Sequence, residues 1–267
     1  MKPLISAENA RDLRPAQVWD IRGEAAYLQG HWPDSFLLDV RHWETLARSP
    51  SHALDQVAEW EREFGSLGID GSAPVLIYDD GRMTEAARVW FILQLHGADA
   101  RVIDGGWNAL ARVLPPSGPE IDAHKPAATS YCPPAGHKPV VKLVTRQSLR
   151  DSLLGQVQVL DARTLAEFSG ADLRSNPRGG HLPGAKSLPH AGLLSGDGTL
   201  KNAEQLRASL QEAGVHLDKP VVTHCDAGGR AALAALAAVA AGHGDVSAYY
   251  LSYSDWAADG TCAVASD

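Results

Sequence analysis

Short apolar segments alternate along this chain with longer amphipathic or alanine-rich segments. The short segments are rich in valine, isoleucine and leucine, as buried strands are, and the longer ones have the spacing or composition of helices. Because strands that alternate with helices form a parallel sheet with helices on both faces, the pattern predicts an α/β fold. The predicted strands are 18–21, 75–78, 101–103, 157–160, 220–223 and 246–251, and the predicted helices are 52–67, 84–96, 202–213 and 230–241.

The same order of short motifs occurs twice. Asp20-Ile-Arg22 is matched by Asp161-Ala-Arg163, and Gly30-His31-Trp-Pro33 is matched by Gly180-His181-Leu-Pro183. Matching points lie about 140 to 150 residues apart, which is the mark of an internal duplication. The repeat predicts two homologous domains, at 1–115 and 140–267, joined by a proline-rich linker at 116–139. Trp107 and Trp256 are interpreted as the matching packing residues near the last strand of each half.

Composition and charge exclude several classes of partner. A hydrophobic content of 45% with 21% charged residues is typical of a globular protein. The net charge of −8, without any run of lysine or arginine, argues against nucleic-acid binding. No apolar run approaches the roughly 18 residues of a membrane span, and the first residues lack an apolar signal core. We therefore expect a cytoplasmic protein that binds neither nucleic acid nor membrane, and the sequence leaves its oligomeric state open.

The three cysteines are Cys132, Cys225 and Cys262. They are too few and too scattered for a disulfide framework, and the chain has no Cys-x-x-Cys motif and no His-x-x-x-His pair. This pattern predicts neither a metal site nor a bound cofactor.

Cys225 stands between the predicted strand 220–223 and the alanine-rich helix 230–241. Backbone N–H groups in such a loop, together with the helix dipole, stabilise a thiolate and an anion beside it. Functional groups of parallel sheets gather at the carboxyl ends of the strands, where this cysteine lies. We therefore predict that Cys225 is a nucleophile.

Three motifs in one order give the chain a family resemblance. Asp161-Ala-Arg163, Gly179-Gly-His-Leu-Pro-Gly-Ala185 and the loop Cys225-Asp-Ala-Gly-Gly-Arg230, in a duplicated chain with the cysteine only in the second copy, resemble the two-domain rhodaneses, the thiosulfate sulfurtransferases. The resemblance covers nearly the whole chain. It implies two tandem rhodanese-like domains, each a mainly parallel sheet flanked by helices. In the first half Asp79 stands in place of the cysteine, so the resemblance implies an inactive first domain and a catalytic second one.

The resemblance also implies a reaction. As a thiolate, Cys225 would take a sulfane sulfur from a small anionic donor such as thiosulfate and carry it as a persulfide to cyanide or a thiol. Arg178 matches a family arginine that helps to bind the donor, and the planar fork of Arg230 suits an anion in the loop. Asp226 works against an anionic donor unless it pairs with one of these arginines or points to solvent. The remaining predicted substrate-binding residues are Ala227, Gly228 and Gly229.

The other polar residues of the motifs are interpreted as structural. Asp161 and Arg163 are expected to form an ion pair, with the carboxylate also accepting nearby N–H groups. His31 and His181 are expected to make hydrogen bonds in turns, and His224 to pack or to make a structural hydrogen bond.

Three alternative functions remain open from the sequence. Cysteine-dependent phosphatases also place an arginine after His-Cys, but they have five intervening residues whereas this loop has four, Asp226 to Gly229. A 3-mercaptopyruvate sulfurtransferase is less favoured, because Glu167 stands where those enzymes carry a carboxylate-binding arginine. A sulfur-relay or binding module without steady-state turnover is favoured by Asp226.

Overall fold

The computed structural model describes residues 2–13, 16–49, 53–115 and 126–266. They form two compact units, Met1–Pro139 with Gly196–Thr199, and Val140–Ser195 with Leu200–Asp267. Part of the predicted linker, residues 116–125, lies outside the described residues. The domain boundaries and the assignment of an inactive and a catalytic domain stay predictions.

The first unit contains a five-stranded sheet with strand order β1-β5-β4-β2-β3. All of its strand pairs are parallel. Its strands are β1 (Leu4–Ile5), β2 (Gln17–Asp20), β3 (Phe36–Leu37), β4 (Val75–Tyr78) and β5 (Ala100–Ile103). Its helices are α1 (Ala7–Asp12), α2 (Glu24–Leu28), α3 (Val40–Arg48), α4 (Val57–Ser66), α5 (Thr84–Leu95) and α6 (Gly106–Leu110).

The second unit repeats this topology with strand order β6-β10-β9-β7-β8, again with parallel pairs only. The predicted α/β fold with mainly parallel sheets is therefore confirmed. Its strands are β6 (Val141–Leu143), β7 (Gln158–Asp161), β8 (Lys186–Ser187), β9 (Val221–His224) and β10 (Val246–Ala248). Its helices are α7 (Arg146–Ser148), a π-helical turn (Leu149–Leu153), α8 (Leu165–Phe168), a 3₁₀ turn (His190–Leu193), α9 (Ala203–Glu212), α10 (Gly229–Ala240) and α11 (Ser252–Ala258).

The centre of each sheet is its most apolar part. Every residue of β4 and of β9 is buried, because each strand has neighbours on both edges and a helix packed against it. The helices that follow them, α5 and α10, are themselves almost fully buried. The two strands therefore end inside the protein, and the loops that leave them are held by buried structure on either side. None of the helices in the described part of the chain has the length and apolar character that a membrane span requires.

The strand pairing corrects one predicted match between the halves. Val75 of β4 pairs with Ala100, and Val221 of β9 pairs with Val246, so both strands are shifted by 146 residues between the units (221 − 75 and 246 − 100). The same shift makes Cys225 the equivalent of Asp79, as predicted, but it makes Tyr253, and not Trp256, the equivalent of Trp107. The surroundings agree, since the Arg22 guanidinium lies 4.2 Å from the centre of the Trp107 ring and that of Arg163 lies 3.9 Å from the centre of the Tyr253 ring.

Two predicted elements differ from the structure by more than one residue at an end, whereas the others agree within one residue. The strand predicted at 246–251 ends at Ala248, because the chain turns away after Tyr249 and enters α11 at Ser252 with φ of 63°. The helix predicted at 52–67 spans Val57–Ser66, and residues 50–52 lie outside the described part. The edge strands β1, β3, β6 and β8, two or three residues long, are too short to give a periodic signal.

Candidate active site

Cys225 lies where β9 ends and α10 begins, and its side chain is buried. The backbone N–H of Gly228 donates a hydrogen bond to the Cys225 sulfur at 3.1 Å. Gly228 has φ of 100°, and a Cβ at this position would lie 2.9 Å from the carbonyl oxygen of Tyr250. Only glycine fits this turn, which folds the loop back so that an N–H at the start of α10 points at the sulfur.

Ser252 is a site residue that the sequence did not identify. Its hydroxyl oxygen accepts the backbone N–H of Cys225 at 3.1 Å and lies 3.8 Å from the cysteine sulfur. The same hydroxyl donates to the carbonyl of Tyr249 at 2.9 Å. Ser252 has φ of 63°, and the equivalent residue of the first unit, Gly106, has a similar φ of 55°. Glycine adopts this left-handed conformation freely, but in serine it costs on the order of 1 kcal/mol or more and is characteristic of functional sites. The serine in place of a glycine was therefore the feature of the sequence that could have identified this site residue.

Asp226 follows the cysteine and is only half-buried. Its Oδ1 atom accepts a hydrogen bond of 2.7 Å from the side-chain amide of Asn176. Neither Arg178 nor Arg230 forms an ion pair with it among the described residues, so the pairing considered from the sequence is not found here. A neutral amide orients this carboxylate without compensating its charge.

Arg230 lies in the first turn of α10 and forms a bidentate ion pair with Glu167. Its two terminal nitrogens donate to the two oxygens of Glu167 at 2.6 and 2.8 Å. Thr164 donates to Glu167 through both its backbone N–H and its hydroxyl. Burial raises the pKa of Glu167, but the hydrogen bonds from Arg230 and Thr164 outweigh it and lower the pKa to about 2. The charge of Arg230 is therefore balanced within the protein, and its predicted contact with substrate stays a prediction.

Arg178 is held by backbone carbonyls of the α11 region. Its guanidinium donates hydrogen bonds of 2.6 to 2.9 Å to the carbonyl oxygens of Trp256, Ala257, Asp259 and Cys262. Four of its five N–H groups are used in this way. The arrangement ties the end of α11 to the loop after α8, so a structural role accounts for Arg178, and donor binding by this residue stays a prediction.

The residues interpreted as structural take that role. Arg163 pairs with Asp161 at 2.6 Å inside the protein, and the Asp161 carboxylate also accepts the backbone N–H of Arg163. His181 lies 3.0 Å from the Phe168 carbonyl and stacks on its ring. In the first unit His31 makes the same two contacts with Tyr27.

His224 is fully buried and is not placed to act as a base. Its Nδ1 atom lies 3.3 Å from the carbonyl oxygen of Cys225, and its Nε2 atom lies 3.5 Å from the Asp161 carboxylate. Burial lowers the pKa of His224, although the Asp161 charge acts in the opposite direction. The structure thus brings together Cys225, Asp226, Gly228 and Arg230 at the start of α10, with Ala227 inside the turn and Gly229 as the first helical residue.

Asp79 fills the equivalent position of the first unit. Its carboxylate accepts backbone N–H groups of Gly81, Met83 and Ala86 at 2.9, 3.0 and 3.3 Å. A fixed acidic side chain here takes up the donors at the start of α5. Burial raises the pKa of Asp79 from 3.8 to about 6, against the lowering effect of these hydrogen bonds.

We expect Asp79→Asn to stabilise the protein at neutral pH. Because the pKa of the folded protein exceeds that of the unfolded chain, this carboxyl stabilises the fold when protonated, and that contribution is lost as the pH rises from 3.8 to about 6. Asparagine does not ionise, so Asp79→Asn does not lose stability in this way. Its free energy of unfolding should exceed that of the wild type by an amount that grows between pH 3.8 and about 6 to at most about 3 kcal/mol. Chemical denaturation at several pH values measures it, with the exposed Asp34→Asn as the control for one lost charge. Parallel pH profiles of wild type and Asp79→Asn would contradict the expectation.

Comparison with protein-family models finds the Rhodanese-like domain twice in this chain, at residues 6–112 and 145–259. Each match covers four of the five strands of one sheet and begins just after the first strand, β1 or β6. They cover most of the chain and include both Asp79 and Cys225.

Relatives are found along nearly the whole chain. It is 30% identical over 264 residues to a protein named putative thiosulfate sulfurtransferase SseB of Mycobacterium tuberculosis, covering 92% of this chain and 89% of that one. It is 29% identical over 262 residues to the 3-mercaptopyruvate sulfurtransferase of Escherichia coli K12, covering 96% and 90%. Among solved structures, wild-type EanB superposes with a TM-score of 0.84 at 19% identity, over 99% of this chain and 69% of that one. At that identity the last comparison shows the fold alone.

Proposed function

Because the chain belongs to the rhodanese family, we propose that it is a sulfurtransferase that carries a sulfane sulfur as a persulfide on Cys225. The observation that carries the proposal is the position of the Cys225 sulfur, 3.1 Å from the Gly228 nitrogen at the start of α10. An N–H group and a helix N-terminus stabilise negative charge on sulfur, which both the thiolate and the persulfide carry. The thiosulfate and 3-mercaptopyruvate sulfurtransferases among the relatives support the same reaction class.

In the first step the Cys225 thiolate attacks the outer sulfur of a donor such as thiosulfate. A sulfur–sulfur bond forms on Cys225 while the donor's own sulfur–sulfur bond breaks, and sulfite leaves with the electron pair. The Ser252 hydroxyl accepts the Cys225 N–H, and the bond to Gly228 orients the sulfur. These contacts fix the nucleophile before the donor arrives, which lowers the entropic part of the barrier.

In the second step cyanide or a thiolate attacks the terminal sulfur. The bond between that sulfur and Cys225 breaks, its electron pair returns to the cysteine as a thiolate, and thiocyanate or a new persulfide leaves. The cycle needs no external oxidant or reductant, since each step exchanges one sulfur bond for another. We propose small-molecule donors and acceptors in the cytoplasm for this reaction.

The alternatives fit the site less well. Phosphatase chemistry uses an arginine fork on the phosphoryl oxygens, whereas Glu167 holds both terminal nitrogens of Arg230. The 3-mercaptopyruvate reaction needs a cation for a carboxylate, and the residue at the position expected for it, Glu167, is buried and paired with Arg230. A relay module remains the second candidate, because Asp226 brings uncompensated negative charge next to the nucleophile.

The proposal predicts a covalent intermediate. Incubation with thiosulfate should add one sulfur, about 32 Da, to the intact protein, and peptide mapping should place it on Cys225. Cys225→Ser should gain no such mass, while Cys132→Ser, which alters an exposed cysteine, should be labelled like wild type. Label on Cys132 or Cys262 in place of Cys225 would refute the assignment. Labelling only by a protein persulfide donor, without steady-state turnover of thiosulfate and cyanide, would indicate the relay module.

A further inference from the structure

The arginines with known partners near the Cys225 loop make their contacts with groups other than Asp226. Arg230 is paired with Glu167, Arg163 is paired with Asp161, and Arg178 is held by four carbonyl oxygens. His190, the other titratable group beside the Arg230–Glu167 pair, has its pKa lowered by burial and by Arg230, so it adds no charge at neutral pH. Among the described residues of this unit, none of these groups forms an ion pair with Asp226.

Asp226 is the uncompensated charge of the loop. Its Oδ1 accepts only from the neutral amide of Asn176, which is itself buried, and the described residues give its Oδ2 no hydrogen-bond partner. The charge of Asp226 contributes to raising the pKa of Arg230, but both terminal nitrogens of Arg230 donate their hydrogen bonds to Glu167. Arg230 and Glu167 neutralise each other, so of these three side chains the Asp226 carboxylate is the one without an ion-pair partner. The persulfide adds a further negative charge.

We propose that the site selects sulfur acceptors by charge, and that its preferred acceptor is a thiol with a positively charged ammonium group near its sulfur. This inference rests on the proposed function, because it concerns how the Cys225 persulfide is discharged. As the acceptor's thiolate sulfur approaches the terminal sulfur of the persulfide, its ammonium group comes within range of the Asp226 carboxylate. An acceptor carrying a carboxylate at that position meets like charge in both Asp226 and the persulfide.

The chemistry of the discharge is unchanged by the acceptor's charge. The acceptor thiolate bonds to the terminal sulfur, the bond from that sulfur to Cys225 breaks, and Cys225 leaves as a thiolate. The product is the persulfide of the aminothiol. Asp226 touches neither sulfur in this step and acts only through the electrostatic field at the acceptor.

Three small thiols test the proposal, namely cysteamine, 2-mercaptoethanol and 3-mercaptopropionate, which carry positive, no and negative charge. The protein is first loaded with persulfide, and the second-order rate of loss of about 32 Da is then measured for each thiol by intact mass spectrometry. The quantity compared between variants is the ratio of the cysteamine rate to the 3-mercaptopropionate rate. Comparing ratios cancels the intrinsic reactivity of each thiol.

In Asp226→Asn this ratio should fall about fivefold, because the interaction between two charges near the protein surface changes a rate by roughly this factor. Asparagine keeps the oxygen that Asn176 contacts. Asp172→Asn, which removes an exposed carboxylate from the same unit, should leave the ratio unchanged. Raising the salt concentration should lower the wild-type ratio and have little effect on Asp226→Asn.

The outcomes separate the two proposals. A ratio that is equal in wild type and Asp226→Asn overturns the charge selection and leaves sulfur transfer by Cys225 intact. Equal falls in Asp226→Asn and Asp172→Asn also overturn it, because the effect would then come from overall charge. Failure of the wild type to form any persulfide on Cys225 overturns the proposed function, and this inference with it.

Discussion

Cys225→Ser should lose at least about 10³-fold in the turnover of thiosulfate with cyanide. A serine hydroxyl is not ionised at neutral pH and forms no persulfide, so the carrier of the sulfur disappears even though the loop stays intact. Serine fits the buried position, and the Gly228 N–H that now points at sulfur would point at the hydroxyl oxygen. A steady-state assay for thiocyanate measures the loss.

The matched control is Cys262→Ser, because Cys262 is also a buried free cysteine of the second unit. It packs in the core near Trp256, so its replacement should reduce stability but not the turnover per folded molecule. If Cys225→Ser kept more than about a tenth of the wild-type turnover, another residue of the chain would have to carry the sulfur. A complete loss in Cys262→Ser at unchanged folded fraction would do the same.

The sequence predicts the position of the nucleophile well because the signal is local. The strand, the glycine pair and the alanine-rich helix around Cys225 are continuous in the chain, and each has a composition that only one kind of element favours. The duplicated motifs then supply the architecture, since the equivalence of Asp79 and Cys225 depends on residues that lie in the same order in both halves. The edge strands, which are two or three residues long, give no comparable signal.

The partners of the site residues were not predictable in the same way. Asn176 lies 50 positions before Asp226, and Glu167 lies 63 positions before Arg230. These contacts exist because β7 and β9 are neighbours in register, which brings the loops after both strands to one edge of the sheet. The sequence predicted that Arg178 and Arg230 bind the substrate because it shows their charge. It does not show the backbone carbonyls that bind Arg178 or the Glu167 carboxylate that binds Arg230. Ser252 was missed because its hydroxyl reaches Cys225 across 27 positions, through a backbone conformation that the sequence does not show.

Glu167→Gln tests the most consequential of these contacts. We expect it to reduce the free energy of unfolding at pH 7 by about 3 kcal/mol, because the largely buried Arg230 loses its counter-charge and faces an amide N–H₂ group. Glutamine still suits the third position of the helix after the Thr164 cap, so α8 should keep its start. Glu212→Gln, on the exposed side of α9, is the control for loss of one carboxylate and should have little effect.

The pH dependence identifies the ion pair as the cause. Since the pKa of Glu167 is lowered from 4.5 to about 2, its contribution to stability is fully present above pH 4.5 and is lost as the pH falls toward 2. The difference between wild type and Glu167→Gln in denaturant unfolding should therefore be constant from neutral pH down to about 5 and shrink below it. A stability difference between wild type and Glu167→Gln that stays the same at pH 3 would show that lost packing, and not the ion pair, causes the destabilisation.

The same variant removes the carboxylate that holds the guanidinium of Arg230. If Arg230 binds the donor as predicted, the apparent KM for thiosulfate should fall in Glu167→Gln and stay unchanged in Glu212→Gln.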